Sequence, residues 1–241
     1  MFLIIFLSLV VMGALIGLSW LDKLDQKNRH KRLKLRRLQN YSEEIQDLLS
    51  TLIETIPNDK IILAINEHLI EQLEEILSLP EAPVESTTLA LNLAKERQTQ
   101  WQEKIKPRFS RYARDSDAQI ARTQLQLKAA MEFLPVLASK NKITAAELES
   151  FLSELRWAAL MVSVMSFVAQ GERALVISDR FSALAFFRKA QQLLMESLHP
   201  DPRRVKIIKE ISEIIDGDRA KLSDEFKYQE QVAETEEAEE D

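Results

Sequence analysis

Between Gly17 and Gly171 the chain contains no glycine at all. Over that length Leu, Ile, Ala, Glu, Gln and Lys dominate, a composition that favours helices throughout. The chain is therefore expected to be all-α. Prolines supply the punctuation, at Pro57, Pro80, Pro83, Pro107, Pro135, Pro200 and Pro202, each restricting the residue before it. With the lapses in apolar periodicity, they predict helices over 21–56, 59–78, 86–105, 109–138, 144–177, 180–198, 202–216 and 218–229. No run alternates as a strand. Asn58 or Asp59 can cap the second of these helices, Thr144 with Glu147 forms a capping box, and Asp201 precedes a proline at a first helical position.

The first twenty residues carry no charge, and Asp22 to Arg37 hold eight Lys or Arg against two Asp. A helix of twenty residues is roughly 30 Å long, enough to cross the hydrocarbon core of a bilayer, and a basic flank stays on the cytoplasmic side. The expectation is an uncleaved single-pass anchor over 1–21 in a bacterial inner membrane, N-terminus out and C-terminal domain in the cytoplasm. A removed signal peptide would show a basic segment before the apolar run and a small-residue cleavage site after it. Here Phe2 follows the terminal amine directly and the run ends in Leu18, Ser19, Trp20, Leu21. The lack of cysteine fits a reducing compartment and is also compatible with export.

A basic juxtamembrane helix follows over 22–56, then a helical-bundle domain over 57–229, either whole or as 57–138 and 139–229. An acidic tail over 230–241, with seven carboxylates and no base, is expected to be disordered. The chain carries −6 in all. With the net +6 of the strip set aside, residues 38–241 carry −12, a sign that repels nucleic acid. Lys23, Lys27, Arg29, Lys31, Arg32, Lys34, Arg36 and Arg37 then face anionic lipid headgroups, each attracted by about 1 kcal/mol. No aromatic residue lies among them to stack on bases.

Gly13 and Gly17 share one helix face at the GxxxG spacing, which lets two membrane helices approach and makes a homodimer a candidate state. Leu21, Leu24, Leu35, Leu38, Ile45, Leu49, Leu52 and Ile56 follow one heptad frame, interrupted at Asn28, Lys31 and Ser42. That pattern fits a two-stranded coiled coil or an amphipathic helix laid on its own domain. Trp157 to Ala169 is nearly free of polar residues, but thirteen residues reach only about 20 Å, so a buried core helix is expected there.

Phe167, Gly171, Ala183, Phe187 and Ala190 succeed one another at intervals of four, twelve, four and three. The run over 164–196 resembles a single tetratricopeptide repeat. The resemblance implies that the helix continues through Gly171 to about Ile177, turns at Ser178 and Asp179, and sets Gly171 against Ala183, with Phe187 and Ala190 packing into a neighbouring unit. Ala174, Gln170 and Met195 depart from the family pattern, and no second copy is visible 34 residues away. The family's usual role is protein binding.

Motifs of catalysis are missing. His30, His68 and His199 stand far apart and in no metal-ligand spacing, and His68 with Glu71 and Glu75 reads as part of a solvated acidic face. There is no cysteine nucleophile, glycine-rich phosphate loop or GxSxG elbow. No catalytic, cofactor or metal residue is assigned, and the chain is read as a membrane-tethered protein-binding adaptor or scaffold. A tether for nucleic acid or anionic lipid through 22–37 is the alternative, and an enzyme with a dispersed site comes third.

Overall fold

In a computed structural model of the protein, the described residues are 2–103 and 109–230, with side chains over 29–103 and 111–226. Eight helices lie among them: α1 (Phe2–Thr55), α2 (Asp59–Leu77), α3 (Val84–Gln102), α4 (Asp117–Ser139), α5 (Ala145–Val176), α6 (Arg180–Glu196), α7 (Arg203–Asp216) and α8 (Asp224–Lys227). Two three-residue strands, β1 (Phe109–Arg111) and β2 (Tyr228–Glu230), pair antiparallel with Arg111 opposite Tyr228. The fold is all-α apart from this short clasp.

Local chemistry sets the helix ends. α1 stops two residues before Pro57, and Asn58 Oδ1 then accepts the Lys60 N–H at 2.9 Å to start α2. Thr144 Oγ1 accepts the Glu147 N–H at 3.2 Å while the Glu147 carboxylate accepts the Thr144 N–H at 2.8 Å, the reciprocal box expected there. Asp201 Oδ1 accepts the Arg203 N–H at 2.9 Å across Pro202, whose φ of −65° already suits a helix.

Two helices are shorter than expected. Residues 109–116 hold β1 and a loop, and α4 begins only after Ser116, whose hydroxyl accepts the Gln119 N–H at 3.3 Å. α7 ends on Gly217 at φ 91°, leaving only the four residues of α8 before β2. Glu230, assigned to the tail, is the last residue of β2; 231–241 lie outside the described residues. Pro135 sits inside α4, as it does in the expected span 109–138. An interior proline costs about 3 kcal/mol, and burial of Leu127, Ala130, Leu134 and Leu137 on one face of α4 offsets it.

The chain forms two compact units, Met1–Glu44 with Leu69–Lys95, and Ile45–His68 with Glu96–Asp241. α4 and α5 lie together in the second, so the division does not fall at residues 138–139. It cuts across α1, α2 and α3, each of which is long enough to serve both units. In the first, Leu35, Leu69, Leu73, Ile76, Leu91 and Ala94 are buried. In the second the core is Leu49, Leu52, Ile56, Ile61, Ile62 and Ile65 together with the buried faces of α4, α5, α6 and α7.

The heptad seam is resolved by burial. Leu35, Ile45, Leu49, Leu52 and Ile56 are covered within a single chain, so over 35–56 α1 is an amphipathic helix on its own domain and not half of a coiled coil. Leu21 and Leu24 lie outside the described side chains. Among the described residues only α5 is long and apolar enough to cross a membrane, and 56% of its apolar window is buried. Trp157, Ala158, Met161, Val162, Val164, Met165 and Val168 make it the core helix expected from its short apolar run. His68 corrects an expectation: it is fully buried, its ring 5.3 Å from that of Phe133, and belongs to no solvated face.

Candidate functional site

The residues singled out in the sequence fall into three groups. Gly13, Gly17, Lys23 and Lys27 lie outside the described side chains. Arg29, Lys31, Arg32, Lys34, Arg36 and Arg37 are all exposed on α1. Arg32 pairs with Glu81 at 2.9 Å and Lys34 with Glu75 at 2.8 Å, contacts worth at most about 1 kcal/mol at such exposure.

The third group forms the α5–α6 hairpin. α5 runs unbroken past Gly171 to Val176, and the chain reverses at Ser178 with φ 63°. Asp179 then caps α6 by accepting the Ser182 N–H at 3.0 Å, and hydrogen bonds from the Ser182 side chain and backbone hold its carboxyl below the usual range. Ala183, Phe187, Ala190 and Leu194 form the buried face of α6, and Phe167 stacks on Phe186 at 6.5 Å. The tightest approach at Gly171 involves the ring one turn beyond Ala183. A Cβ built on Gly171 would lie 2.9 Å from Cε1 and Cζ of Phe187, so the atoms nearest the glycine are those of that ring.

A cleft that sequence reasoning missed gathers more chemistry. It is about 500 Å3 in volume, and Pro57, Tyr112, Glu154, Trp157, His199, Asp201 and Arg203 are among the residues that line it. These residues come from the α1–α2 turn, the segment after β1, the first half of α5 and the entry to α7. Their distance in sequence hid the grouping. The dense polar run His199, Asp201, Arg203 between two helices was the available signal, read only as a helix cap.

His199 is half-buried against Trp157, ring centroids 5.2 Å apart, and the Arg203 guanidinium lies 5.0 Å over the same indole. The Asp201 backbone N–H points at His199 Nδ1 at 3.3 Å, so that nitrogen accepts. Nε2 therefore carries the proton and donates to the Ser153 carbonyl at 3.0 Å. Ser153 Oγ lies 3.4 Å from Nε2, but a protonated nitrogen cannot act as base toward it. The Asp201 carboxylate does not orient the imidazole either. It accepts from Arg203 Nε at 3.0 Å and Nη2 at 2.7 Å. Ser153, His199 and Asp201 thus resemble a hydrolytic triad in composition and lack its hydrogen bonding.

Burial pushes the Asp201 carboxyl up, but the hydrogen bonds and charge of Arg203 outweigh it and hold the group below its ordinary range. The same hydrogen bonds raise Arg203. Tyr112 is buried, and desolvation raises its phenol well above the ordinary value, with Glu154 and Asp201 adding to the shift and Arg203 opposing it. Since the folded pKa of Asp201 is depressed, its stabilisation is present above its unfolded value near pH 4 and is lost as pH falls through the folded one. Urea melts between pH 5 and pH 2 should show Asp201→Asn to be destabilised at the upper end and less sensitive to acid than the parent.

A second polar centre is architectural. Arg114 Nη2 donates to Thr55 Oγ1 at 2.6 Å, Nε to Thr123 Oγ1 at 3.1 Å and Nη1 to the Arg111 carbonyl at 2.6 Å. Its backbone N–H donates to Ser166 Oγ at 2.9 Å. One half-buried guanidinium thereby ties the ends of α1 and β1 to α4, and its backbone to α5. Among the described residues no three His, Asp or Glu side chains come together as metal ligands do. The chain matches no family model, no curated protein and no solved structure, so the reading of its function stands on its own residues.

Proposed function

We propose that the protein is a membrane-tethered adaptor, anchored through its first twenty-one residues and presenting a protein-binding helical domain on the cytoplasmic face of a bacterial inner membrane. The observation that carries this reading is the continuity of α1, a single helix from Phe2 to Thr55 and roughly 80 Å long. It joins the uncharged stretch to the packed domain without a break, and the exposed cations from Arg29 to Arg37 follow that stretch where a cytoplasmic flank belongs. The α5–α6 hairpin supports the binding role, since its apex leaves Val176 and Phe181 about as exposed as residues can be, at 85% and 88%.

A C-terminal reporter active only in the cytoplasm should be active, and one that needs export should be silent; the reverse pattern overturns the orientation. A mature chain beginning near Leu21 overturns the anchor. If the membrane helices pair through Gly13 and Gly17, changing both to Ile should abolish crosslinking in membranes, because the added bulk separates the backbones. Crosslinking unchanged in that double variant would remove the glycine face from the interface.

A further inference from the structure

We infer that the tip of the α5–α6 hairpin is a second membrane contact, which seats Val176, Ile177 and Phe181 among the headgroups of an anionic lipid bilayer. It rests on the adaptor reading for the presence of a bilayer and names the surface that the exposed apex meets. Ile177, 75% exposed, joins Val176 and Phe181. Three bulky apolar side chains therefore project where α5 ends and α6 begins, on either side of the reversal at Ser178. An exposed apolar cluster marks a contact surface, and the charge and backbone around this one favour lipid over protein.

Residues 38–241 carry −12, yet from Glu172 to Lys189 four cations stand against two carboxylates. Arg173 is bound to Asp115 at 3.2 Å, and Asp179 directs its carboxylate to the first N–H groups of α6. Arg180, Arg188 and Lys189 are exposed, and none of the three meets a carboxylate among the described residues. Arg180 flanks the apolar cluster. Arg188 and Lys189 lie two turns further along α6, roughly 10 to 12 Å behind Phe181. When an apolar tip enters the outer 5 to 10 Å or so of a leaflet, cations at that spacing come level with anionic headgroups.

The backbone of the tip suits a medium without water. Hydrocarbon offers no partner to an N–H group. Here the N–H groups of Ile177, Ser178, Asp179 and Arg180 already donate to the carbonyls of Arg173, Leu175, Ala174 and Ser178, and that of Ala183 donates to the Asp179 carbonyl. The Ser182 N–H donates to the Asp179 carboxylate at 3.0 Å, and the Phe181 N–H interacts with the same group. A protein interface carries about one hydrogen bond per 100 to 200 Å2, for which this tip has little main-chain donor capacity left. A bilayer needs none.

The chain has three tryptophans. Phe181→Trp, with Trp20→Phe and Trp101→Phe, puts a reporter at the tip and leaves Trp157, 3% exposed, as a constant background. The full chain is reconstituted either in nanodiscs of brominated phosphatidylcholine with phosphatidylglycerol, or in unbrominated neutral nanodiscs to which vesicles of that brominated mixture are added. Tip emission should be quenched in at least one arrangement, and much less when the brominated lipid is phosphatidylcholine alone. The ratio of quenched to unquenched tip should fall at least tenfold in Val176→Ser with Ile177→Ser, and severalfold in Arg188→Gln with Lys189→Gln, the latter most at low salt. All four positions are exposed, and unchanged melting confirms that each variant folds. No quenching in either arrangement, equal quenching by neutral lipid, or quenching that survives the serine pair overturns the site. If the tip stays unquenched while the chain remains in carbonate-washed membranes and a photo-crosslinker at Phe181 captures a protein, the lipid contact fails and the adaptor reading stands. Release of the chain by carbonate defeats the anchor, and the vesicle titration still decides the tip.

Discussion

Gly171→Ala will destabilise the protein by about 1 to 2 kcal/mol, although it places the best helix former inside a helix. Propensity alone favours alanine by up to about 1 kcal/mol. The new methyl would lie 2.9 Å from two ring carbons of Phe187, and that ring is itself buried against α5. Overpacking of this kind costs about 1 to 3 kcal/mol, which outweighs the gain. A left-handed glycine at a helix end would also lose stability on becoming alanine, so the sign of the single change does not identify the cause. The double variant does. With Phe187→Leu already in place, Gly171→Ala should turn neutral or stabilising, a coupling of about 1 to 3 kcal/mol in denaturant melts. Independent effects would mean that glycine and ring do not meet.

Arg114→Met should cost about 2 to 3 kcal/mol, the larger part of it from groups the arginine leaves behind. The Arg111 carbonyl and the hydroxyls of Thr55 and Thr123 all accept from it, and Thr55 is fully buried. Hydrogen bonds to charged groups contribute about 1.5 to 3 kcal/mol each, and rotation of the two hydroxyls to other partners recovers part of the loss. Arg114→Lys keeps the charge but cannot span three acceptors with one ammonium, and about 1 to 2 kcal/mol should still be lost. Equal stability of parent and lysine variant in urea melts would show that charge alone, and not the fork, matters here.

Much of the helical framework was legible because it depends on neighbours in the chain. Pro57, the Thr144–Glu147 box and the Asp201–Pro202 pair act over two or three residues, and each ends or starts a helix where the sequence placed it. The misread segments are those decided at long range. Residues 109–111 have no strand pattern of their own and become extended because Tyr228–Glu230 lie alongside. The heptad from Leu35 to Ile56 cannot tell a second copy of α1 from the chain's own domain, since both present an apolar surface. His68 looked solvated from its acidic neighbours, yet its face of α2 is the buried one. The cleft around Trp157 was hidden for the same reason: an aromatic inside an apolar run reads as core, and only the folded chain brings Tyr112, Glu154 and Arg203 beside it.

The β1–β2 clasp has a consequence for the order in which the second unit folds. α4 packs on α5, α5 on α6 and α6 on α7, three interfaces that join consecutive helices and need only a short loop to close. The clasp is of another kind, since Arg111 meets Tyr228 only after all of those helices have been passed. Its closure entropy falls sharply once α4 to α7 have assembled, because the effective loop shrinks from the whole intervening chain to its two free ends. The helices should therefore nucleate folding and the clasp should close last. Substitutions at Phe187 or Leu155 would then slow refolding. Proline at Ser110 would leave the refolding rate almost unchanged and appear as faster unfolding, with φ-values near zero at the clasp.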